Sequence, residues 1–190
     1  CGIQAFFDMP NTDPALTSPA SVRQRIAFGI RQAEELQQLT SRPLFYGVYG
    51  GLTGDVEQVT AMVEAYRSLR PHMVGFKLFA GHSTGNIGLV TFEGQLQLYR
   101  ALTRCGFDGV LAVHCEKEQS LKSDRWDPLR PWTHSIARGP EAEADSVADQ
   151  LQALRISGFA GHLHICHIST AAAIDMVAAG RQAGLRISCG

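Results

Sequence analysis

Short apolar runs alternate along the chain with longer stretches in which apolar residues recur at helical spacing. Glycine, proline or polar residues bound each apolar run, as expected of a buried strand. The runs predict strands at about 3–9, 43–49, 73–79, 109–115, 162–168 and 185–189. The stretches between them predict helices, so the pattern indicates repeated βα units and a parallel sheet.

Residues that favour helix ends stand at the boundaries of these helical stretches. Ser18, followed by Pro19, predicts a helix that runs to about Leu39. The segment 117–139, with two tryptophans and two prolines, predicts a long loop on the face that carries the site. Further helices are predicted after Asp55, from Thr91 to Gly106, from Pro140 to Gly158, and over 171–183 with Ser169 as the N-cap and Gly184 as the end.

The alternation of strands and helices fits either an open doubly wound sheet or a (β/α)8 barrel. Polar residues with catalytic potential stand near the ends of different strands: Asn11, Lys77, His114 and His167. In a barrel these ends form the active-site face, whereas the glycine motifs of nucleotide-binding sheets are absent from the sequence. We therefore predict the α/β class and a (β/α)8 TIM-type barrel.

The pattern shows fewer strands than the eight that a complete barrel needs. The sequence opens at Cys1-Gly2, directly before one predicted strand, and closes on another at 185–189. We expect residues 1–190 to be the central part of a single barrel domain, an incomplete segment that covers about strands 2 to 7. Its unpaired edges would need cover, so we expect a homo-oligomer or coverage by another chain.

Lys77 lies inside the run Met73-Val-Gly-Phe-Lys-Leu-Phe79, which otherwise has the composition of a buried strand. An unpaired ammonium group in such a strand is costly, and burial favours the neutral, nucleophilic amine. A neutral amine can add carbon dioxide to give a carbamate, which is an anionic metal ligand similar to a carboxylate. The structural alternative is a lysine at a sheet edge whose ammonium group reaches solvent.

Two later strands end in histidines, His114 and His167. Side chains alternate between the faces of a strand, so His162 and His164 should share one face and His167 should lie on the other. We expect His167 to be the better metal ligand and His164 to pack beneath a helix. Neutral imidazoles are common zinc ligands, although either strand-end histidine could instead form hydrogen bonds within the core or a loop. Together with Lys77, the two strand-end histidines predict a metal site.

Composition excludes several other classes of function. The net charge of -1 gives no electrostatic reason to expect nucleic acid or an anionic membrane as a partner. No apolar run approaches the roughly 20 residues of a membrane span, and no signal peptide is visible. The five cysteines are odd in number and form no CxxC pair, which suits reduced thiols in a cytoplasmic protein.

Four segments, in this order, resemble the cyclic-amide branch of the amidohydrolase superfamily, and the dihydroorotases within it most closely. The resemblance covers nearly the whole chain. The matching segments are Phe7-Asp-Met-Pro-Asn-Thr12, Gly75-Phe-Lys-Leu-Phe-Ala-Gly-His-Ser-Thr-Gly-Asn86, Ala112-Val-His-Cys-Glu116 and His164-Ile-Cys-His-Ile-Ser-Thr170.

The resemblance implies a role for each matching residue. Lys77 would be carboxylated and bridge two zinc ions, His114 and His167 would bind the second ion, and Asn11 would contact the carboxylate of the substrate. Metal-bound hydroxide would then interconvert dihydroorotate and N-carbamoyl-L-aspartate, a step of pyrimidine biosynthesis. The family's His-x-His pair and its catalytic aspartate have no counterpart here, and the aspartate should lie beyond Gly190. We therefore expect the segment alone to be inactive and to bind metal weakly.

Four alternatives stay open at this point. The substrate could be another cyclic amide, as in hydantoinases, dihydropyrimidinases and allantoinases, because a fold does not determine a substrate. The barrel could be a catalytically silent subunit that supports a partner enzyme, although such a subunit has no physical need for Lys77, His114 and His167. The Met9-Pro-Asn-Thr12 segment could be a simple Asx-type turn, and the chain a structural fragment.

Overall fold

A computed structural model of the chain describes residues 2–82 and 87–190, and residues 83–86 of the Gly75–Asn86 motif lie outside this described part. Six parallel strands form one sheet in the order in which they occur along the chain. All six predicted strands are therefore confirmed. Their bounds are β1 Ala5–Asp8, β2 Phe45–Gly51, β3 Met73–Ala80, β4 Val110–Cys115, β5 His162–Ile165 and β6 Ile187–Cys189.

The strand order distinguishes the two fold classes that the sequence left open. A doubly wound sheet reverses its strand order at a switch point. Here each strand pairs with the next one along the chain, without reversal, as successive strands of a barrel do. The structure is thus an α/β sheet of barrel type.

In the described part of the chain six α-helices accompany the sheet, and side-chain caps mark where four of them begin. Ser18 forms a capping box with Ser21, and the side chains of Asp55 and Thr91 accept backbone N–H groups of the next two helices. The cap of the last helix is Thr170 rather than the predicted Ser169. The helices are α1 Pro19–Thr40, α2 Val56–Leu69, α3 Phe92–Arg104, α4 His134–Ala137, α5 Pro140–Ser157 and α6 Ala171–Gln182.

The hydrophobic core lies between the helices and one face of the sheet. Leu163 and Ile165 of β5 are fully buried there, together with Ala173 and Val177 of α6. Burying an aliphatic side chain of this size contributes about 1.5–3 kcal/mol. His164 alternates with these two residues and therefore points to the opposite face of the sheet. The prediction that His164 packs beneath a helix is wrong.

The segment between β4 and α5 is a long connection, as predicted, but it is not featureless. It contains α4 and three short 3-10 turns, at Glu118–Ser120, Ser123–Arg125 and Pro131–Thr133. An ion pair of 2.8 Å from Lys117 to Asp149 ties the start of the connection to α5. In the described part of the chain no helix is long and apolar enough to cross a membrane.

Candidate metal centre

Lys77 lies on the face of the sheet that points away from the helices. It is only 3% exposed, and it pairs in register with Ala112, which in turn pairs with His164. Neighbours in register on parallel strands share a face, and so do residues two apart on one strand. Lys77 therefore lies one side-chain layer below His114, inside β3 rather than at its end. Among the described residues no carboxylate forms an ion pair with Lys77; its ammonium group lies 5.2 Å from the ring centre of Phe79.

His114 and His167 meet at the carboxyl ends of β4 and β5. The Nδ1 atom of His114 lies 3.2 Å from the Nε2 atom of His167, and their ring centres are 4.9 Å apart. Two imidazole nitrogens this close can share one proton, or they can bind one metal ion when both rings turn towards a common point. The structure thus brings together the two histidines that the sequence selected.

The backbone around His167 differs from the extended strand that the sequence predicted. β5 ends at Ile165, and His167 adopts φ 42°, in the left-handed region that only a few non-glycine residues occupy. This turn interrupts the alternation of side chains, so the period-2 argument does not apply to His167. The turn brings the exposed His167 ring against His114.

Burial keeps the imidazole of His114 in the form that binds metals. Burial, together with the nearby His167 and Lys77, lowers the pKa of His114 to about 4, and the charge of Glu116 opposes this change only in part. At neutral pH the ring is therefore uncharged. Uncharged imidazole is the form that ligates zinc.

Glu116 and Arg138 form an ion pair beside His114. The Nε atom of Arg138 donates to Oε1 of Glu116 at 2.7 Å, and a second nitrogen of the same guanidinium contacts Oε2. Burial alone would raise the pKa of Glu116, but the hydrogen bonds and charge of Arg138 lower it below its usual value. Oε2 of Glu116 also lies 3.7 Å from Nε2 of His114, the ring nitrogen that points away from His167.

A cavity of about 220 Å³ opens at the histidine pair. Its walls include His114, His167, Glu116, Arg138 and Glu143. Glu116, Arg138 and Glu143 were not selected as site residues from the sequence. Glu116 directly follows His114-Cys115, whereas Arg138 and Glu143 each lie 24 residues from the nearer histidine of the pair that they accompany. Asn11 follows β1 at the same edge of the sheet, where it is exposed, and its contact with a substrate stays a prediction.

The spacing of the histidine pair fits a zinc ion. Zn–N bonds of about 2.0–2.1 Å in tetrahedral geometry place two ligand nitrogens about 3.3 Å apart, close to the observed 3.2 Å. Across residues 2–82 and 87–190, no three histidine, cysteine, aspartate or glutamate side chains are grouped so that they could hold a metal. The site in this chain thus offers two imidazoles, with the buried Lys77 near them.

Curated relatives of this chain are hydrolases of cyclic amides. The chain is 29% identical to a dihydroorotase of Methanothermobacter thermautotrophicus, over 95% of this chain and 37% of the relative. It is 30% identical to a dihydroorotase of Methanosarcina acetivorans, over 93% of this chain and 34% of that protein. An allantoinase of Desulfitobacterium hafniense is 29% identical, over 97% of this chain and 39% of that protein. The chain thus spans less than two fifths of the length of these relatives.

Solved structures of similar fold are hydantoinases. An L-hydantoinase (dihydropyrimidinase) from Arthrobacter aurescens superposes with a TM-score of 0.71 at 18% identity, over 99% of this chain and 39% of that one. A D-hydantoinase superposes with a TM-score of 0.72 at 18% identity, over 99% of this chain and 38% of that one. The six-stranded sheet therefore matches part of a TIM-type barrel.

No protein-family model matches the chain. The ordered motifs, the relatives that cover nearly all of its length and the matching barrel fold nevertheless agree. The chain is similar, over nearly all of its length, to cyclic-amide hydrolases of the amidohydrolase superfamily, which include dihydroorotases and allantoinases.

Proposed function

We propose that this chain carries part of the active site of a zinc-dependent cyclic-amide hydrolase. The observation that carries the proposal is the histidine pair. His114 and His167 present two ring nitrogens 3.2 Å apart, at the carboxyl edge of a barrel-type sheet and beside a buried lysine. The carboxyl edge is where barrel enzymes place their active sites. Names of the relatives support hydrolysis of a ring amide.

We propose that His114 and His167 hold one zinc ion and that Lys77 becomes the bridge to a second. Once it has lost its proton, the Nζ atom of Lys77 would add to the carbon of carbon dioxide, forming an N–C bond and releasing one proton. The resulting carbamate carries a negative charge, which offsets the repulsion between two cations. When bound, zinc polarises a carbonyl group and makes water a stronger acid.

The remaining side chains of the site have supporting roles in this proposal. Glu116, held by Arg138, faces the second ring nitrogen of His114 and favours the orientation in which Nδ1 points to the metal. The cavity admits a small molecule beside the two histidines. Asn11, at the end of β1, would contact a carboxylate of the substrate.

Dihydroorotate is the substrate that we favour, because two of the three relatives named above are dihydroorotases and the four motifs resemble that family. Allantoin is the second candidate, because allantoinases of similar identity cover as much of the chain. We further propose that residues 1–190 form the central part of one barrel domain, with the remaining metal ligands and a catalytic aspartate on strands outside it. The matched share of the hydantoinase chains supports this division.

The test is hydrolysis by the full-length protein that contains this segment, supplied with zinc and bicarbonate. Dihydroorotate, allantoin, hydantoin and dihydrouracil are compared as substrates, with metal content measured on the same samples. Turnover of dihydroorotate with about two zinc ions per chain is the expected result, and preferential turnover of another ring amide would reassign the substrate. Absence of both zinc and turnover would overturn the proposal and favour a silent barrel.

A further inference from the structure

The carboxylate of Glu143, on the first turn of α5, binds the backbone directly after His167. Its Oε1 atom accepts the N–H groups of Ser169 at 3.1 Å and Thr170 at 2.8 Å, and the hydroxyl of Thr170 at 2.6 Å. Its Oε2 atom accepts the Ser169 N–H at 2.9 Å. One side chain from a different helix thus occupies three donors of the two residues at the start of α6.

These contacts exceed what the end of a helix requires. The first N–H groups of a helix lack partners within it, and an anion nearby interacts favourably with the helix dipole. Thr170 already caps α6, because its side chain accepts the N–H of Ala173 at 3.3 Å. Glu143 instead connects α5 to the turn in which His167 adopts its left-handed φ of 42°.

The neighbourhood of Glu143 also indicates a role at the site. Its side chain lines the same cavity as His114 and His167. The His167 ring is exposed, and a short turn with few strand hydrogen bonds carries it, so packing alone does not hold its position. Ile168 N donates to Gly190 O at 3.0 Å, and Cys166 N donates to Val113 O at 3.0 Å. Glu143 provides the corresponding restraint on the α6 side of the turn.

We propose that Glu143 is a positioning residue that fixes His167 opposite His114 and thereby sets the spacing of the two metal-binding nitrogens. The inference rests on the proposed function, because metal binding is the reason for holding His167 in place. The placement of His167 itself can be tested without metal. It predicts that removal of the Glu143 carboxylate separates the two rings while the fold persists.

Two variants and one control test this role. Glu143→Ala removes all four contacts. Glu143→Gln keeps the shape of the side chain, but its amide group would direct an N–H towards the Ser169 N–H. Only part of the four hydrogen bonds can then form. Glu141→Gln is the control, because Glu141 is exposed on the same turn of α5 and pairs with Lys122 at 3.2 Å, away from the cavity.

The first readout uses the metal-free 190-residue chain. Proton NMR should show a nuclear Overhauser effect between the imidazole rings of His114 and His167, whose centres are 4.9 Å apart. We expect this effect in the unchanged chain and in Glu141→Gln, a weaker effect in Glu143→Gln, and none in Glu143→Ala. Urea unfolding on the same samples reports whether the fold persists.

The second readout is zinc titration of the full-length protein that contains this segment, followed through the His114 and His167 ring signals. We expect Glu143→Ala to weaken zinc binding at this pair by about tenfold or more, as loss of an outer partner of a metal ligand does, and Glu143→Gln to weaken it less. If Glu143→Ala unfolds, Glu143→Gln decides, since it retains the volume of the side chain.

The outcomes separate the two proposals. Ring contact and zinc affinity that stay unchanged in both Glu143 variants would overturn the positioning role, as would absence of ring contact in the unchanged chain. Ring contact that depends on Glu143, without zinc binding in any sample, would support the positioning role and contradict the metal site of the proposed function.

Discussion

The Nδ1 atom of His114 and the Nε2 atom of His167 lie 3.2 Å apart, although 53 residues separate them in the chain. Adjacent parallel strands bring them together, because β4 and β5 pair in register and both end at the same edge of the sheet. The contact joins a partly buried, uncharged imidazole to an exposed one on a left-handed turn. The proposed chemistry depends on this pair.

Replacement of either histidine of the pair should remove zinc binding from the edge of the sheet. We expect His114→Ala and His167→Ala each to weaken zinc affinity by more than about tenfold, because loss of a direct ligand costs more than loss of an outer partner. Competition with a chromophoric chelator measures the affinity. His162→Gln is the matched control, since His162 bonds to Ser188 at 2.7 Å on the same face of the sheet. A larger loss of zinc affinity in His162→Gln than in the two alanine variants would place the zinc elsewhere.

Replacement of Lys77 should separate its chemical role from its structural one. Lys77→Met keeps the length of the side chain and removes an ammonium group that is 3% exposed and has no ion-pair partner among the described residues. We expect the free energy of unfolding in urea to stay equal or rise by about 1–2 kcal/mol. In 13C-bicarbonate the unchanged protein should show a carbamate signal in its carbon NMR spectrum, and Lys77→Met should not. A carbamate signal in both would exclude Lys77 as the modified residue.

The ion pair between Glu116 and Arg138 should contribute to stability because Glu116 is largely buried. Arg138→Ala should lower the free energy of unfolding by about 1–2 kcal/mol at neutral pH. Arg138 lowers the pKa of Glu116, so this contribution is present above the usual glutamate pKa of about 4.3 and is lost as the pH falls through the lower pKa of the folded state. Denaturation at a series of pH values measures it.

Arg130→Ala is the control for the Glu116–Arg138 pair. Arg130 pairs with Asp127 at 3.4 Å on the surface, so Arg130→Ala should lower the free energy of unfolding by less than about 0.5 kcal/mol. Equal losses from Arg138→Ala and Arg130→Ala would contradict the special position of Glu116.

Cys115, beside His114, should be chemically inert in the folded protein. Burial raises the pKa of its thiol from 9.0 to about 12, although a hydrogen bond with Ser146 and the charge of Lys77 oppose the change. Alkylation at pH 8 should therefore be far slower for Cys115 than for the partly exposed Cys105. Equal rates for the two thiols, measured by peptide mass spectrometry, would contradict the burial.

The same thiol gives a pH dependence of stability with a definite sign. Because the thiol has a higher pKa in the folded state than in the unfolded state, it stabilises the fold fully at pH values below the unfolded-state pKa of about 9. This contribution is lost as the pH rises from about 9 to about 12. Cys115→Ala should lack this part of the alkaline loss, worth about 1.4 kcal/mol for each unit of pKa difference. Parallel alkaline unfolding curves for the two proteins would exclude the effect.

Local signals in the sequence were sufficient for most of the fold. Ser18 and Thr91 cap their helices as predicted, because capping depends on a side chain and the next three residues. The last helix begins one residue later than predicted, with Thr170 as its cap. The carboxylate of Glu143, 26 residues earlier in the chain, also binds the N–H group of Ser169. Such a contact has no local signal.

The histidines show a second limit of prediction from a pattern. Period-2 alternation assigned faces to His164 and His167 but could not tell which face the helices cover. The fold buries Leu163 and Ile165 under α6, so His164 points to the side of Lys77. His167 is in the site because its strand ends early at Ile165, a boundary that a run of apolar residues does not reveal. The period-2 argument for His167 therefore does not describe the backbone that places its ring beside His114, and its role as a metal ligand stays a prediction.

Zinc-edge anomalous diffraction from crystals of the chain grown with zinc tests the central claim most directly. The account predicts an anomalous peak bonded to Nδ1 of His114 and Nε2 of His167, with Nε2 of His114 turned to Glu116. A peak at the cysteines or at the His162–Ser188–His164 cluster, with His114 and His167 still in direct contact, would contradict it.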